Sequence, residues 1–178
     1  MHLHSPRLTL RHFVEDDAPF ILELMNEPAF HRYIGDRGLR SLDDARRYLR
    51  ESPIASYARN GYGLLHVSSN ESGLPIGMCG LVRREGLPGP DIGFAISKAH
   101  EGKGYATEAS VAVIDYCRQH LGITNIYGIT QPNNERSIRT LQKLGLRWLE
   151  TRPQLEDGPA LHIFSTAAPP ADASIIST

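Results

Sequence analysis

Short segments in which apolar residues alternate with polar ones recur along the chain, and this period of two predicts β-strands. One such segment, residues 91–97, places three apolar side chains on one face: Ile92, Phe94 and Ile96. The period then changes to three or four residues, which predicts an amphipathic helix. Its apolar positions are Tyr105, Ala106, Ala109, Ala112, Val113, Tyr116 and Cys117. Residues 91–121 are therefore expected to form a strand, a short turn and a helix that lies on a sheet.

The same patterns predict further elements on both sides of this unit. The other strands are expected at residues 6–12, 62–67, 74–82, 125–130, 146–152 and 160–165. Helices are expected at residues 18–27 and 41–52, each stopped by a following proline, and after residue 134. The strands at 62–67, 74–82 and 91–97 are expected to form an antiparallel meander. The first residues, which include His2 and His4, are expected to be a frayed, solvated terminus.

Length and composition narrow the classes of protein that remain. The 178 residues carry a formal net charge of −1 and have no apolar run near 18 residues, so neither nucleic acid nor a membrane is expected as a partner. One domain is predicted for residues 1–166, and the Pro/Ala/Ser-rich tail 167–178 is predicted to be disordered. Cys79 and Cys117 are interpreted as buried free thiols, and the expected compartment is the cytoplasm.

The turn between the predicted strand and helix carries the candidate chemistry. A helix N-terminus leaves backbone N–H groups without internal partners, and Gly102 and Gly104 let the backbone approach a ligand closely. Such a turn is suited to bind phosphate or pyrophosphate, and Lys103 adds a positive charge at its rim. A tight strand-to-helix turn without a ligand explains the same pattern. The turn is not a P-loop, because no Gly-Lys-Ser/Thr follows a four-residue spacer, and it is not a Rossmann fingerprint, because Thr107 stands where the third glycine belongs.

The residues of this turn, Glu101-Gly102-Lys103-Gly104-Tyr105-Ala106, resemble motif A of the GNAT acetyltransferases in the form used by the RimJ/RimL-like branch. The general family pattern is Gln/Arg-x-x-Gly-x-Gly/Ala, and Glu101 departs from it. An acidic group near a pyrophosphate is electrostatically unfavourable, so Glu101 is expected either to point away or to weaken binding.

A second motif lies about thirty residues further on. Asn134-x-x-Ser137, followed by the run from Leu141 to Leu146, is similar to the branch segment Asn-x-x-Ser-x-x-x-Leu-x-Lys-x-Gly-Phe, with Leu146 in place of Phe. Asn134 also suits a helix N-cap, and capping is compatible with ligand binding. Two motifs in the right order are more specific than either alone.

The resemblance implies a mixed α+β fold with a mostly antiparallel, splayed central sheet of about seven strands and helices on both faces. It implies acetyl-CoA as the acetyl donor and no metal. The sheet is expected to open near residues 94–97, where the strand backbone would meet the pantetheine arm, while residues 102–107 would hold the pyrophosphate. The expected cofactor-binding residues are Phe94, Ala95, Ile96, Gly102, Lys103, Gly104, Tyr105, Ala106, Thr107, Asn134 and Ser137.

Acetyl transfer to an amine needs a group that takes the amine proton. Asp91 is the first candidate, through a water molecule, and Glu85 is the second. An exposed turn carboxylate without a catalytic role explains each of them equally well. Ser137 is expected to act as a hydrogen-bond or water-relay partner for the leaving thiolate, because a Ser hydroxyl is a poor acid.

The function expected from these observations is an N-acetyltransferase that acts on a primary amine. The acceptor is either a protein N-terminus or a small molecule, and the protein is expected to be a monomer or a homodimer. One alternative is an acyl-CoA-binding sensor with the same fold but little turnover. Another is a nucleotide-binding regulatory domain that uses the same turn.

Overall fold

The computed structural model describes residues 1–153 and 159–167. Its centre is one eight-stranded sheet with the strand order β1-β2-β3-β4-β5-β6-β8-β7. Neighbouring strands are antiparallel except β5 and β6, which are parallel. The strands are β1 (His2–His4), β2 (Leu8–His12), β3 (Leu64–Ser69), β4 (Pro75–Val82), β5 (Asp91–Ile96), β6 (Tyr127–Thr130), β7 (Arg147–Arg152) and β8 (Leu161–Ser165).

Helices cover both faces of this sheet, as predicted. The helices are α1 (Ala18–Met25), α2 (Pro28–Tyr33), α3 (Leu42–Leu49), α4 (Ala55–Asn60), α5 (Tyr105–His120) and α6 (Glu135–Lys143). The apolar face of α5 packs on one side of the sheet through Ala109, Val113 and Cys117. Helices α1 and α3 form a second apolar cluster with the opposite side, where Met78 of β4 meets Ile21 and Leu49.

A bulge in β4 decides which side chains reach each face. Val67 of β3 pairs with Gly77, and the next residue of β3 pairs with Pro75, so Ile76 has no partner in that ladder. This extra residue lets both Ile76 and Cys79 face α5, while Met78 faces α1 and α3.

The glycines of β4 mark places where backbones come very close. A Cβ at Gly77 would lie 2.4 Å from the Ala95 carbonyl oxygen, and one at Gly80 would lie 2.1 Å from the Gly63 carbonyl oxygen. No side chain fits at either distance, so β4 can pack against both neighbours only with glycine here.

Three expectations about the chain are wrong. His2–His4 is a strand paired with β2, because its backbone continues the antiparallel edge. Pro28 begins α2 at the first helical position, where its missing N–H costs nothing. The helix after Ser41 continues past Pro53, through a π-helical turn that spans Arg50–Ile54, into α4. A π-turn widens the helix locally and so accommodates the proline ring.

The count of about seven strands rises to eight through β1. The expected domain boundary at residue 166 stays a prediction, and the tail 167–178 lies outside the described residues apart from Ala167.

Candidate functional site

The sheet opens between β5 and β6. These two strands are joined at one position, where Asp91 lies opposite Tyr127, and by a hydrogen bond from the Tyr127 N–H to the Pro90 carbonyl oxygen (2.9 Å). Beyond Asp91 the strands diverge, while β5 stays paired with β4 as far as Ile96. The predicted splay is therefore present, and one edge of residues 92–96 faces a gap rather than another strand.

The glycine turn lies at the end of this gap. Gly104 caps α5 with a φ of 79°, a left-handed conformation that glycine adopts without strain. The guanidinium group of Arg7 supports the turn from behind by donating to the Lys103 carbonyl oxygen (3.0 Å). The free N–H groups of the first α5 turn therefore have a fixed position, as binding an anion requires.

Glu108 holds Arg7 in place. Its carboxylate accepts hydrogen bonds from the Arg7 Nε (2.7 Å), the Arg7 N–H (2.9 Å) and the Ser5 hydroxyl (2.7 Å). Burial raises the pKa of Glu108, but the bonds from Ser5 and Arg7 outweigh this effect, so the pKa is lowered. Glu108 therefore stays ionised and has a structural role.

Glu101, the departure from the family pattern, is paired. Its carboxylate accepts a hydrogen bond from Arg136, in the first turn of α6. Arg136 lies on the far side of the gap from Glu101, so this ion pair connects the α5 turn with α6. The positive partner offsets the negative charge that sequence reasoning found unfavourable beside a pyrophosphate.

The second motif begins α6. The Asn134 side-chain oxygen accepts a hydrogen bond from the Ser137 N–H (3.2 Å), so Asn134 is an N-cap as the local interpretation predicted. Both side chains are partly exposed and line the same cleft as β5.

A cleft of about 970 Å³ joins the gap, the glycine turn and the start of α6. The structure brings together most of the cofactor-binding residues predicted from sequence. Those that line the cleft are Phe94, Ala95, Ile96, Gly102, Gly104, Tyr105, Ala106, Thr107, Asn134 and Ser137. Lys103 is exposed and is not among the lining residues; its carbonyl oxygen anchors Arg7 instead.

The two proposed bases occupy different environments. Asp91 lines the cleft and is only 2% exposed, and its two carboxylate oxygens accept hydrogen bonds from the Arg84 Nε at 3.0 and 3.1 Å. Burial raises the pKa of Asp91, and Arg84 only partly offsets the rise. Glu85 is exposed in the turn between β4 and β5 and is not among the lining residues.

Two further polar groups of the cleft escaped sequence reasoning. The Thr130 hydroxyl, at the end of β6, is buried and has no hydrogen-bond partner in the described residues. The Glu27 carboxylate lines the cleft and accepts the Lys98 N–H at 3.0 and 3.2 Å. Burial raises the pKa of Glu27, and the Lys98 N–H bond opposes this rise. Neither residue belongs to a local motif, so only the folded structure reveals them.

His66 does not belong to the cleft. It is 5% exposed, its ring packs edge-on against Phe13 and Phe20, and burial lowers its pKa to about 4. It is therefore a neutral core residue at physiological pH.

The described part of the chain shows neither a cluster of metal ligands nor a membrane-spanning helix. Within residues 1–153 and 159–167, no group of three or more His, Cys, Asp or Glu side chains is arranged to hold a metal ion. None of the helices in this part of the chain combines the length and apolar character needed to span a bilayer.

Curated relatives resemble this chain over most of its length. An uncharacterized N-acetyltransferase of Bacillus licheniformis, p20, is 27% identical over 149 residues, which are 82% of each chain. The uncharacterized N-acetyltransferase YnaD of Bacillus subtilis is 26% identical over 147 residues, or 83% of each chain.

Solved structures share the fold. An acetyltransferase from Agrobacterium tumefaciens superposes with a TM-score of 0.79 at 25% identity, covering 94% of this chain and 95% of its own. RimL, the ribosomal L7/L12 α-N-protein acetyltransferase in complex with coenzyme A, superposes with a TM-score of 0.81 at 16% identity, covering 93% and 97%. The sequence pattern of the Acetyltransferase (GNAT) domain matches residues 7–147. This chain therefore belongs to the GNAT acetyltransferase family, as its two motifs predicted.

Proposed function

We propose that this protein transfers the acetyl group of acetyl-CoA to a primary amine, with both substrates bound in the cleft that runs along β5. The observation that supports this most directly is the continuous path from the open edge of β5 to the N-terminus of α5. A strand edge offers backbone groups to the amides of a pantetheine arm, and a helix N-terminus accepts a pyrophosphate.

The residues present fit this cofactor. Backbone groups of residues 94–96 would bind the pantetheine amides, and residues 102–107 would hold the pyrophosphate through main-chain N–H groups. The buried hydroxyl of Thr130 lacks a partner in the described residues, and a buried polar group of this kind needs one. A pantetheine amide beside β6 would satisfy it. Asn134 and Ser137 would contact the same arm from the opposite wall.

Arg136 contributes to the same binding. Its pairing with Glu101 removes the repulsion that an isolated carboxylate would exert on the phosphates. We assign Lys103 only an electrostatic role, because its side chain lies outside the cleft lining.

When bound, acetyl-CoA supplies an acetyl thioester with a good leaving group. The acceptor amine forms a bond to the acetyl carbon as the carbon–sulfur bond breaks, and the amine must lose a proton to do so. A lysine-like amine has a pKa of about 10.4, so it arrives mostly protonated. Asp91 is the proposed base: it is a cleft carboxylate at the start of β5, and burial raises its pKa toward that of a useful base.

Ser137 is proposed to assist the other end of the reaction. Its hydroxyl lines the cleft in the first turn of α6, whose N-terminus stabilises negative charge. The thiolate of a thiol with a pKa of about 8.5 needs little help to leave, so Ser137 would act as a hydrogen-bond donor or would position a water molecule.

The test is release of free thiol from acetyl-CoA with a panel of primary amines: small amines, amino acids and peptides with free N-termini. Time-dependent thiol release that requires both an amine and the protein supports the proposal. Absence of thiol release with every amine, despite measurable acetyl-CoA binding, would support an acyl-CoA sensor instead.

A further inference from the structure

Arg84 has hydrogen-bonding capacity that the fold does not use. A guanidinium group carries five N–H donors, and Arg84 uses one of them, the Nε, to bond both oxygens of Asp91. Its two terminal amino groups have no partner in the described part of the chain. Asp91 is buried whereas the Arg84 side chain is 42% exposed. The structure therefore fixes the guanidinium through its Nε and leaves the two terminal amino groups available to a ligand of the cleft that Arg84 lines.

A second guanidinium group lies at the same end of the cleft. Arg37, in the loop after α2, lines the cleft and makes no ion pair or hydrogen bond within residues 1–153 and 159–167. Burial raises the pKa of Tyr48, and the positive charges of Arg37 and Arg84 both oppose that rise. Both charges therefore act on one phenol, which also lines the cleft.

Arg84 is far from the proposed phosphate site. Arg84 is hydrogen-bonded to the first residue of β5, and the glycine turn begins with Gly102, six residues after the last residue of that strand. Six strand residues span about 17 Å at roughly 3.3 Å per residue. At the phosphate end, by contrast, the acidic residues Glu101 and Glu135 are each paired with an arginine of α6. Cofactor phosphates thus do not account for Arg84.

We propose that Arg84 and Arg37 bind a carboxylate of the acceptor, so that the acceptor is a small molecule of the amino-acid type. This inference rests on the proposed acetyl transfer at this site. A guanidinium fork binds carboxylate with two parallel hydrogen bonds. Because Asp91 is bonded directly to Arg84, an amine beside Asp91 and a carboxylate on Arg84 belong to a molecule in which the two groups are only a few bonds apart. A protein N-terminus has a neutral amide at that place.

The experiment compares amino acids with their own carboxamides as acceptors: glycine, leucine and glutamate beside glycinamide, leucinamide and glutamic acid α-amide. Thiol release from acetyl-CoA gives kcat/KM for each. The parent protein is expected to favour the acids by at least tenfold. In Arg37→Ala and Arg84→Lys the preference is expected to shrink about fivefold or more, mainly through KM. Arg84→Lys keeps the charge beside Asp91 but removes the fork.

The matched control is Arg47→Ala, which removes an exposed arginine of α3 that pairs with Asp44 outside the cleft lining. It is expected to keep the preference. A second readout needs no turnover: calorimetric affinity for N-acetylleucine against N-acetylleucinamide is expected to show the same dependence on Arg37.

The possible outcomes distinguish a failure of the carboxylate site from a failure of the proposed acetyl transfer. Equal use of acids and amides by the parent, or a preference that survives in both variants, overturns the carboxylate site and leaves acetyl transfer standing. Absence of thiol release with every amine, including peptides, overturns the proposed function and the carboxylate site with it.

Discussion

At the α5 end of the cleft, here called the contiguous end, most of the lining comes from one continuous stretch of sequence: the strand β5, its glycine turn and the first turn of α5. The Asp91 end, here called the assembled end, is formed by segments that are far apart in the sequence. Arg37, Tyr48, Arg84 and Asp91 lie in four different elements or loops. The contiguous end is built from backbone groups that any member of the fold can present. The assembled end is built from side chains, and side chains distinguish one acceptor from another.

The largest expected effect is at the assembled end. Asp91→Asn keeps the side-chain shape but cannot take a proton, so turnover is expected to fall roughly a hundredfold at neutral pH, within the usual range for a general base. Acetyl-CoA affinity is expected to stay unchanged. Activity of the variant is expected to recover partly at higher pH, where more of the amine is already neutral.

The sign of the pH effect in the parent follows from the raised pKa of Asp91. Turnover is expected to fall as the pH drops through that raised pKa, because the protonated carboxyl neither accepts a proton nor balances Arg84. A pH–rate profile of both proteins checks this. Asp115→Asn, an exposed change on α5, is the control. An unchanged profile in Asp91→Asn would reassign the base to Glu27, to the substrate or to bulk water.

The next effect concerns the contiguous end. Gly104→Ala places a Cβ in the glycine turn and strains a backbone with a φ of 79°. Acetyl-CoA affinity is expected to fall at least tenfold in calorimetry. The matched control is Gly122→Ala, which has a φ of 65° after the end of α5 and open space around it. Both variants are expected to lose roughly 1–2 kcal/mol of stability. Only Gly104→Ala should lose cofactor affinity, and equal affinity in the two variants would rule out the turn as the phosphate site.

A smaller effect is expected at the wall opposite β5. Thr130→Val keeps the shape of the side chain and removes its unpartnered hydroxyl. Loss of one neutral hydrogen bond costs about 1 kcal/mol, or roughly fivefold in acetyl-CoA affinity. The unliganded protein should not lose stability, since that hydroxyl has no partner among the described residues. Thr151→Val on β7 is the control. If Thr130→Val loses stability without losing acetyl-CoA affinity, Thr130 is excluded from the cofactor site.

Breaking the ion pair between Glu101 and Arg136 across the gap is expected to have a weaker, salt-dependent effect on acetyl-CoA affinity. Arg136→Ala leaves Glu101 unpaired near the phosphates and is expected to weaken acetyl-CoA binding about threefold at low salt. Glu101→Gln should strengthen it, and the double variant should bind about as well as the parent. Calorimetry at two salt concentrations measures all four proteins. A double variant that binds as weakly as Arg136→Ala would show that Arg136 acts on the cofactor independently of Glu101.

The smallest expected effect is that of Ser137→Ala, which should lower turnover less than threefold. The leaving thiolate needs little assistance, and the Ser137 N–H that Asn134 caps is retained. Rates measured beside those of Asp91→Asn provide the comparison. If Ser137→Ala is the more damaging change, departure of the thiolate is the step that needs help.

The contrast between the two ends also explains what the sequence could predict. The strand, glycine turn and helix of residues 91–121 were predictable because local periodicity and glycine position determine them. The N-cap role of Asn134 was predictable for the same reason. The pairing of Glu101 with Arg136 was not, since the two residues are 35 positions apart and only the packing of α6 brings them together.

The other features that could not be predicted from the sequence have the same physical origin. Helix α3 continues through Pro53 because a π-helical turn accommodates the proline ring. Local helix propensity does not predict such a turn. Thr130 and Glu27 acquire significance only from burial in a cleft formed by distant elements. Arg84 and Asp91 are seven positions apart, but their bond depends on the turn that joins β4 to β5.

Hydrogen–deuterium exchange of the protein with and without acetyl-CoA tests the central claim, that the open edge of β5 and the turn before α5 form the cofactor site. Slower exchange is expected in peptides that cover residues 92–107 and the start of α6. Peptides from β1 and β7 at the two sheet edges should exchange at the same rate in both samples. Acetyl-CoA binding that protects other segments and leaves residues 92–107 unchanged would contradict the assignment of this cleft.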